Sequence, residues 1–209
     1  MNASTRDRTR SLALLALLTA IVAVLQMMGL AIRFGTFSVS MVGVPVVIGG
    51  ALLGPLAGAW LGLVFGVTVL LSGDAALFFA WNPAATVAIV LLKGILAGLV
   101  SGWLYRLLAG KNGFLAALAA AIAYPVVNTG VFFLGSMLFF MDDCIQFAAN
   151  LGITGSGPMV IMIVFIGFNF FFELALDLVL APVIVRIIEA RHPFAVPVRI
   201  VEDKPKSEN

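Results

Sequence analysis

The chain has 209 residues, of which 62% are hydrophobic and only 11% are charged. A soluble domain is nearer half apolar and a quarter charged, so this composition excludes an ordinary water-soluble protein and predicts a membrane domain. The net charge of +2 identifies no partner. One cysteine, Cys144, excludes an internal disulfide, and one histidine, His192, lies outside the apolar region, so no metal site is predicted in the membrane.

Six apolar segments follow one another along the chain, separated by short polar stretches. The predicted spans are residues 11–32, 39–53, 55–71, 84–108, 114–140 and 159–188. The first is about 33 Å long as a helix, enough to cross the hydrocarbon, and it is not predicted to be a cleaved signal peptide. Spans 2 and 3 are separated at Gly54-Pro55, because Gly ends helices and Pro begins them.

The positions of the basic residues predict how this bundle is oriented. With six spans, both ends of the chain and the joins between spans 2 and 3 and between spans 4 and 5 lie on one side of the membrane, and ten of the twelve basic residues fall on that side. These ten are Arg6, Arg8, Arg10, Arg106, Lys111, Arg186, Arg191, Arg199, Lys204 and Lys206. The positive-inside rule therefore predicts an all-α bundle of six transmembrane helices with both termini in the cytoplasm. Residues 1–10 form the basic N-terminal segment, 11–190 the transmembrane domain and 191–209 the charged tail.

Repeats of small residues at four-residue spacing mark helix faces that another helix can approach closely. Span 3 carries such a ridge at Gly54, Gly58, Gly62 and Gly66, and span 4 carries another at Gly94, Gly98 and Gly102. Packing within the bundle is the expected role of these ridges, and a sliding or docking surface is the alternative. Ala13, Ala16, Ala20 and Ala23 form a similar ridge on span 1, for which spacing alone assigns no partner.

Polar side chains at membrane depth are the candidate functional groups, because burying charge in a bilayer is expensive. Lys93 lies near the middle of span 4, and Asn169, Glu173 and Asp177 share one face of span 6. One interpretation is an ion pair of Lys93 with Glu173 or Asp177 that fixes helix register. The other is a site for a small polar molecule, with Asn128, Thr86 and Thr129 contributing amide and hydroxyl groups.

Residues at the outer ends of the spans are candidates for closing such a site. Gln26 and Arg33 belong to the outer part of span 1, and Trp81 and Asn82 to the loop between spans 3 and 4. Trp81 is equally explained as an interfacial anchor, and Arg33 as the point where span 1 leaves the lipid. The chain has no nucleotide-binding motif and no catalytic motif, so neither an enzyme nor a cofactor is predicted.

The order and spacing of these features resemble the substrate-binding S components of energy-coupling factor (ECF) vitamin transporters. The resemblance covers residues 11–191 and includes the Ala16–Ala20 ridge and the Gly54-Pro55 join. It also includes the stretches at 44–55, 82–94, 124–130 and 168–174.

This resemblance implies a function that composition does not show. An S component would capture a vitamin outside a prokaryotic cell, in the plasma membrane, and deliver it with a transmembrane scaffold subunit and two ABC-type ATPases. Ala16 and Ala20 would dock on the scaffold, and the whole subunit would topple in the membrane. Asp177 would belong to an ion pair. The implied substrate-binding residues are Arg33, Trp81, Asn82, Lys93, Asn128, Asn169 and Glu173.

Within the family the chain looks most like the pantothenate-type branch, which makes pantothenate the best candidate substrate, and Lys93 or Arg33 would suit its carboxylate. Glu173 favours instead a cationic or neutral ring such as a pyrimidine or pyridoxine. Two other functions stay open. A stand-alone secondary transporter would use protons through Glu173 and Lys93, although no convincing inverted repeat supports it. A membrane scaffold protein would bind no small ligand.

Overall fold

Helices make up nearly all of the computed structural model, which describes residues 3–29, 33–34, 37–38, 41–153 and 155–191. The helices are α1 Ala3–Gly29, α2 Gly43–Leu53, α3 Pro55–Ser72, α4 Ala76–Trp81, α5 Pro83–Ala109, α6 Gly113–Phe139, α7 Met141–Asn150, α8 Gly157–Ile161 and α9 Gly167–Arg191. A π-helix, Met162–Ile166, joins α8 to α9. The strands β1 (Arg33–Phe34) and β2 (Phe37–Ser38) form a small antiparallel ribbon that the sequence analysis did not predict.

Four described helices are long and apolar enough to cross a membrane, namely α1, α3, α5 and α6. The segment from α8 through α9 is a fifth candidate, bent by 53°. Helix α2 has 11 residues, which is about 16 Å of helix against about 30 Å of hydrocarbon. The all-helical membrane class is thus confirmed. The count of six spans and the cytoplasmic position of both termini stay predictions.

Two of the predicted joins between spans are confirmed by the local geometry. Gly54 separates α2 from α3 with φ of +100°, and Pro55 is the first residue of α3. Asn112 caps α6, because its side-chain oxygen accepts hydrogen bonds from the backbone N–H groups of Phe114 and Leu115. The ends of predicted spans 1 and 2 at residues 30–32 and 39–40, and the tail from residue 192, lie outside the described residues.

Two stretches that the sequence analysis treated as loops contain helices. The stretch after α3 forms α4, and the stretch after α6 forms α7, whose Cys144 and Ala148 are buried. Burial, followed by the charge of Asp143, raises the pKa of the Cys144 thiol to about 12. Cys144 is therefore a neutral core residue, and not a reactive thiolate.

The glycine ridges of α3 and α5 lie directly against each other. A Cβ atom built on Gly58 would meet the backbone carbonyl of Gly98, and one built on Gly62 would meet that of Gly94. The contacts are reciprocal, since a Cβ on Gly94 or Gly98 would in turn meet the carbonyl of Gly62 or Gly58. The predicted packing role of the two ridges is confirmed, and this contact holds α3 and α5 at one fixed separation.

Candidate functional site

A cavity of about 130 Å³ lies among α4, α5, α6, the π-helix and the start of α9. Apolar and aromatic side chains form much of its wall, and polar groups enter it from four separate segments of the chain. The polar residues that line it are Asp74, Thr86, Lys93, Asn128, Thr129 and Asn169. A mostly apolar hollow with a few convergent polar groups is the usual form of a small-molecule site.

Lys93 is the cation among the described residues that line this cavity. Its ammonium lies 5.6 Å from the ring centroid of Phe65 and 5.1 Å from that of Phe132. Two ring faces within about 6 Å attract the charge through their quadrupoles. The charges of Glu173 and Asp74 also act on it, from α9 and from the turn after α3. The positive charge of Lys93 therefore faces a carboxyl group on each of two sides within the protein.

Asn128 connects the cavity to the buried carboxyl group of Glu173. The amide of Asn128 donates a hydrogen bond to Glu173, which is 2% exposed. The side-chain oxygens of Asn128 and Asn169 are buried and have no hydrogen-bond partner among the described residues. Unpartnered buried acceptors are rare because they cost free energy, so these two amides are suited to a ligand that brings donors.

Asp74 belongs to this site, and the sequence analysis missed it. It follows Gly73, which ends α3 with φ of +77°, and this turn directs the chain back over the cavity. The amide nitrogen of the buried Gln26 donates to Asp74 Oδ2 at 3.4 Å, which connects α1 to the cavity wall. The available signal was a single charge directly after the long uncharged run at residues 34–73.

A cluster of aromatic rings lies at the end of the cavity nearest α4. The ring of Phe78 is central to it and makes edge-on contacts with four neighbours at centroid distances of 5.1 to 5.3 Å. These neighbours are Trp81, Phe132, Phe140 and Phe165. Such contacts favour a defined arrangement of the rings, which gives the apolar wall a fixed shape.

Comparison with known proteins identifies the family. The family described as ECF transporter, substrate-specific component, matches residues 10–185. The chain belongs to this family. No curated protein and no solved structure matches it. Members of the family are membrane subunits that bind small-molecule substrates and pair with a scaffold and ATPases, and it is not a family of enzymes.

The S component brings some of the residues predicted for substrate binding together and leaves others apart. Lys93, Asn128 and Asn169 line the cavity, and Glu173 lies directly behind Asn128. Trp81 does not line the cavity but packs in the aromatic cluster beside it.

Asn82 and Arg33 have no described place in the cavity of this S component. The side chain of Asn82 accepts a hydrogen bond from the backbone N–H of Ala85 at 3.1 Å, so it caps the N-terminus of α5. Arg33 belongs to β1, and its side chain lies outside the described residues. Among the described residues no group of three or more His, Cys, Asp or Glu side chains is arranged to hold a metal ion.

The alanine ridge of the S component lies on the outer face of α1. Ala16 and Ala20 are exposed, whereas Leu18 and Val22 on the other face are buried in the core. The indole N–H of Trp60 on α3 donates to the hydroxyl of Thr19 at 3.2 Å and fixes the two helices beside this ridge. The ridge is therefore open to lipid or to another subunit.

Proposed function

We propose that this S component captures a small polar vitamin outside a prokaryotic cell and delivers it by associating with a scaffold subunit and two ABC-type ATPases. Both termini are cytoplasmic in this proposal, so the cavity opens toward the exterior. The observation that carries it is the cavity itself, in which the ammonium of Lys93 and two amide oxygens that have no partner among the described residues meet aromatic walls. All of these groups lie within the family match, residues 10–185.

The size of the cavity favours a small vitamin. Its volume of about 130 Å³ is well under the roughly 300–1,000 Å³ of typical ligand pockets. Pantothenate is the first candidate, since Lys93 would receive its carboxylate and the oxygens of Asn128 and Asn169 would accept from its hydroxyl groups. Glu173 supports the alternative of a pyrimidine or pyridoxine, which would offer N–H or O–H donors to the carboxylate.

The two alternative functions, a secondary transporter and a membrane scaffold protein, predict different behaviour from that of an S component. A stand-alone secondary transporter would need a proton-carrying group, and the position of Glu173 beside Lys93 and the cavity is the observation in its favour. In a membrane scaffold protein without a ligand, the unpartnered buried amides would cost folding free energy, and no bound molecule would compensate for this cost.

Purification of the tagged chain from its own membranes distinguishes the three functions. We expect a scaffold subunit and two ATPases to co-elute, and mass spectrometry of the extracted protein to detect a vitamin, with pantothenate as the reference compound. Uptake into vesicles that contain the chain alone would support the secondary transporter instead. A protein that elutes alone and binds no vitamin would contradict the proposal.

Lys93→Ala is expected to weaken vitamin binding. It is also expected to lower the stability of the protein, because the charges of Glu173 and Asp74 would lose the cation between them. Loss of a charge-assisted contact typically costs about 1.5–3 kcal/mol, which is roughly 10- to 150-fold in affinity. Lys111→Ala is the matched control, because Lys111 is exposed in the turn before α6. Isothermal titration and thermal melting measure the two effects. If both affinity and melting temperature are unchanged, Lys93 has neither role.

A further inference from the structure

A second polar cluster lies between α6 and α9, next to the cavity but outside its lining. It consists of Tyr124 from α6 with Glu173 and Asp177 from α9, which are 0%, 2% and 1% exposed. The two acids are one helical turn apart on the same face of α9. Each acts electrostatically on the other, and both act on the hydroxyl group of Tyr124. The three residues thus form one enclosed group.

In the part of the chain that the structure describes, every member of this cluster has an oxygen without a hydrogen-bond partner. These atoms are the hydroxyl of Tyr124, Oε1 of Glu173 and Oδ2 of Asp177. Glu173 still accepts a hydrogen bond from Asn128 and faces the charge of Lys93. Among the described residues no hydrogen bond or cation supports Asp177 in this way, and its carboxyl group packs against the backbone of Gly43, where a built Cβ would be 2.6 Å from Oδ1.

The charged and titratable groups around Asp177 do not balance a second ionised carboxylate. Three elements that contact α9, namely α2, the π-helix and the strand β2, contain no titratable residue. Helix α6 contributes the hydroxyl of Tyr124, and α9 contributes Glu173. The ammonium of Lys93 on α5 faces Glu173 and is shared with Asp74. Within the described residues, the positive charge of Lys93 therefore compensates the negative charge of Glu173. Asp177 faces only groups that are acidic or neutral.

An ionised carboxylate that is buried without a hydrogen bond or a cation is strongly disfavoured, and a like charge one turn away adds to the penalty. We propose that Glu173 and Asp177 hold one proton between them, which is carried by Asp177, while Glu173 is the ionised partner of Lys93. The cluster is then a proton-binding site within the membrane. The hydrogen bond from Asn128 to Glu173 connects it to the cavity.

Infrared spectroscopy of the full-length protein, purified in detergent without added vitamin at neutral pH, tests this site directly. We expect the carbonyl-stretching band of a protonated carboxyl group in the unaltered protein and its loss in Asp177→Asn. Asp142→Asn is the control, because Asp142 is exposed on α7, and it should leave the band unchanged. Absence of the band from the unaltered protein, or its persistence in Asp177→Asn, would overturn the proposal.

Isotope labelling identifies the type of residue that carries the proton without any substitution. It therefore does not depend on whether Asp177→Asn folds. Protein made with aspartate labelled with ¹³C in the side-chain carboxyl group should show the band at lower frequency. Protein made with correspondingly labelled glutamate should show it unmoved. A band that shifts only with labelled glutamate would place the proton on a glutamate and refute the assignment to Asp177. Neither measurement depends on the identity of the vitamin or on the transporter partners.

Discussion

Gly62→Ala is expected to be strongly destabilising, because the added methyl group has no space at the contact between α3 and α5. Its Cβ would meet the carbonyl group of Gly94 and lie 3.1 Å from the backbone nitrogen of Ile95. Both obstacles are backbone atoms, so no side chain can rotate away, and the two helices must separate. Overpacking of this kind costs about 1–3 kcal/mol, and at a backbone contact we expect the upper end of that range.

Gly130→Ala is the matched control for this substitution. Gly130 also lies within a long helix, α6, but a Cβ built on it meets nothing within 4 Å. Alanine is the better helix former, so this change is expected to be neutral or to gain up to about 1 kcal/mol. Thermal melting of the two variants in the same detergent measures the difference. Equal melting temperatures would mean that the two glycine ridges are not in contact.

The glycine ridges also show which parts of the fold the sequence could predict. Glycines repeated every four residues on two neighbouring apolar segments have one common explanation, which is close contact of the two backbones. The join at Gly54-Pro55 was equally predictable, because both residues act on the local backbone and need no tertiary context. The reliable patterns are therefore those that are visible within one segment, either as a regular repeat of small residues or as a pair of residues that acts on the local backbone.

Features that depend on tertiary packing were not predictable in this way. The short helix α4 has no buried residue of its own, and its ring of Phe78 is held by aromatic partners from distant segments. The interruption of predicted span 6 by a π-helix and a 53° bend has no proline at the break. Gly167 ends the π-helix there, and one glycine in an apolar segment is too common to predict a bend.

The same distinction separates the site residues that the sequence predicted from those that it did not. Lys93, Asn128 and Asn169 were found because a polar group at membrane depth is conspicuous in an apolar segment. Asp74 was missed because it lies in a turn, where charge is ordinary, and only the path of the chain places it on the cavity. Asn82 was assigned to the site, but its position directly before Pro83 is the sequence pattern of a helix cap.

Ala16→Trp is expected to abolish vitamin uptake while leaving vitamin binding intact, if the ridge on α1 is the docking face proposed above. Ala16 is exposed and points away from the core, so an indole there can lie in lipid or detergent without disturbing the fold. The described lining of the cavity includes no residue of α1, so the affinity for the vitamin should not change. A bulky ring on a face of small residues would keep a second helix from approaching closely.

The matched control is Leu138→Trp, because Leu138 is 77% exposed on α6, away from the alanine ridge. Both variants add an indole to an exposed helix face, so a general effect of tryptophan on insertion or stability would appear in both. Uptake by whole cells, with titration of the purified variants, separates transport from binding. Normal uptake by Ala16→Trp would exclude this face as the docking surface, and loss of uptake in both variants would show that its effect is not specific to α1. Loss in Ala16→Trp alone, with unchanged affinity, would assign the ridge to subunit association, since binding and delivery would then depend on separate surfaces of one small bundle.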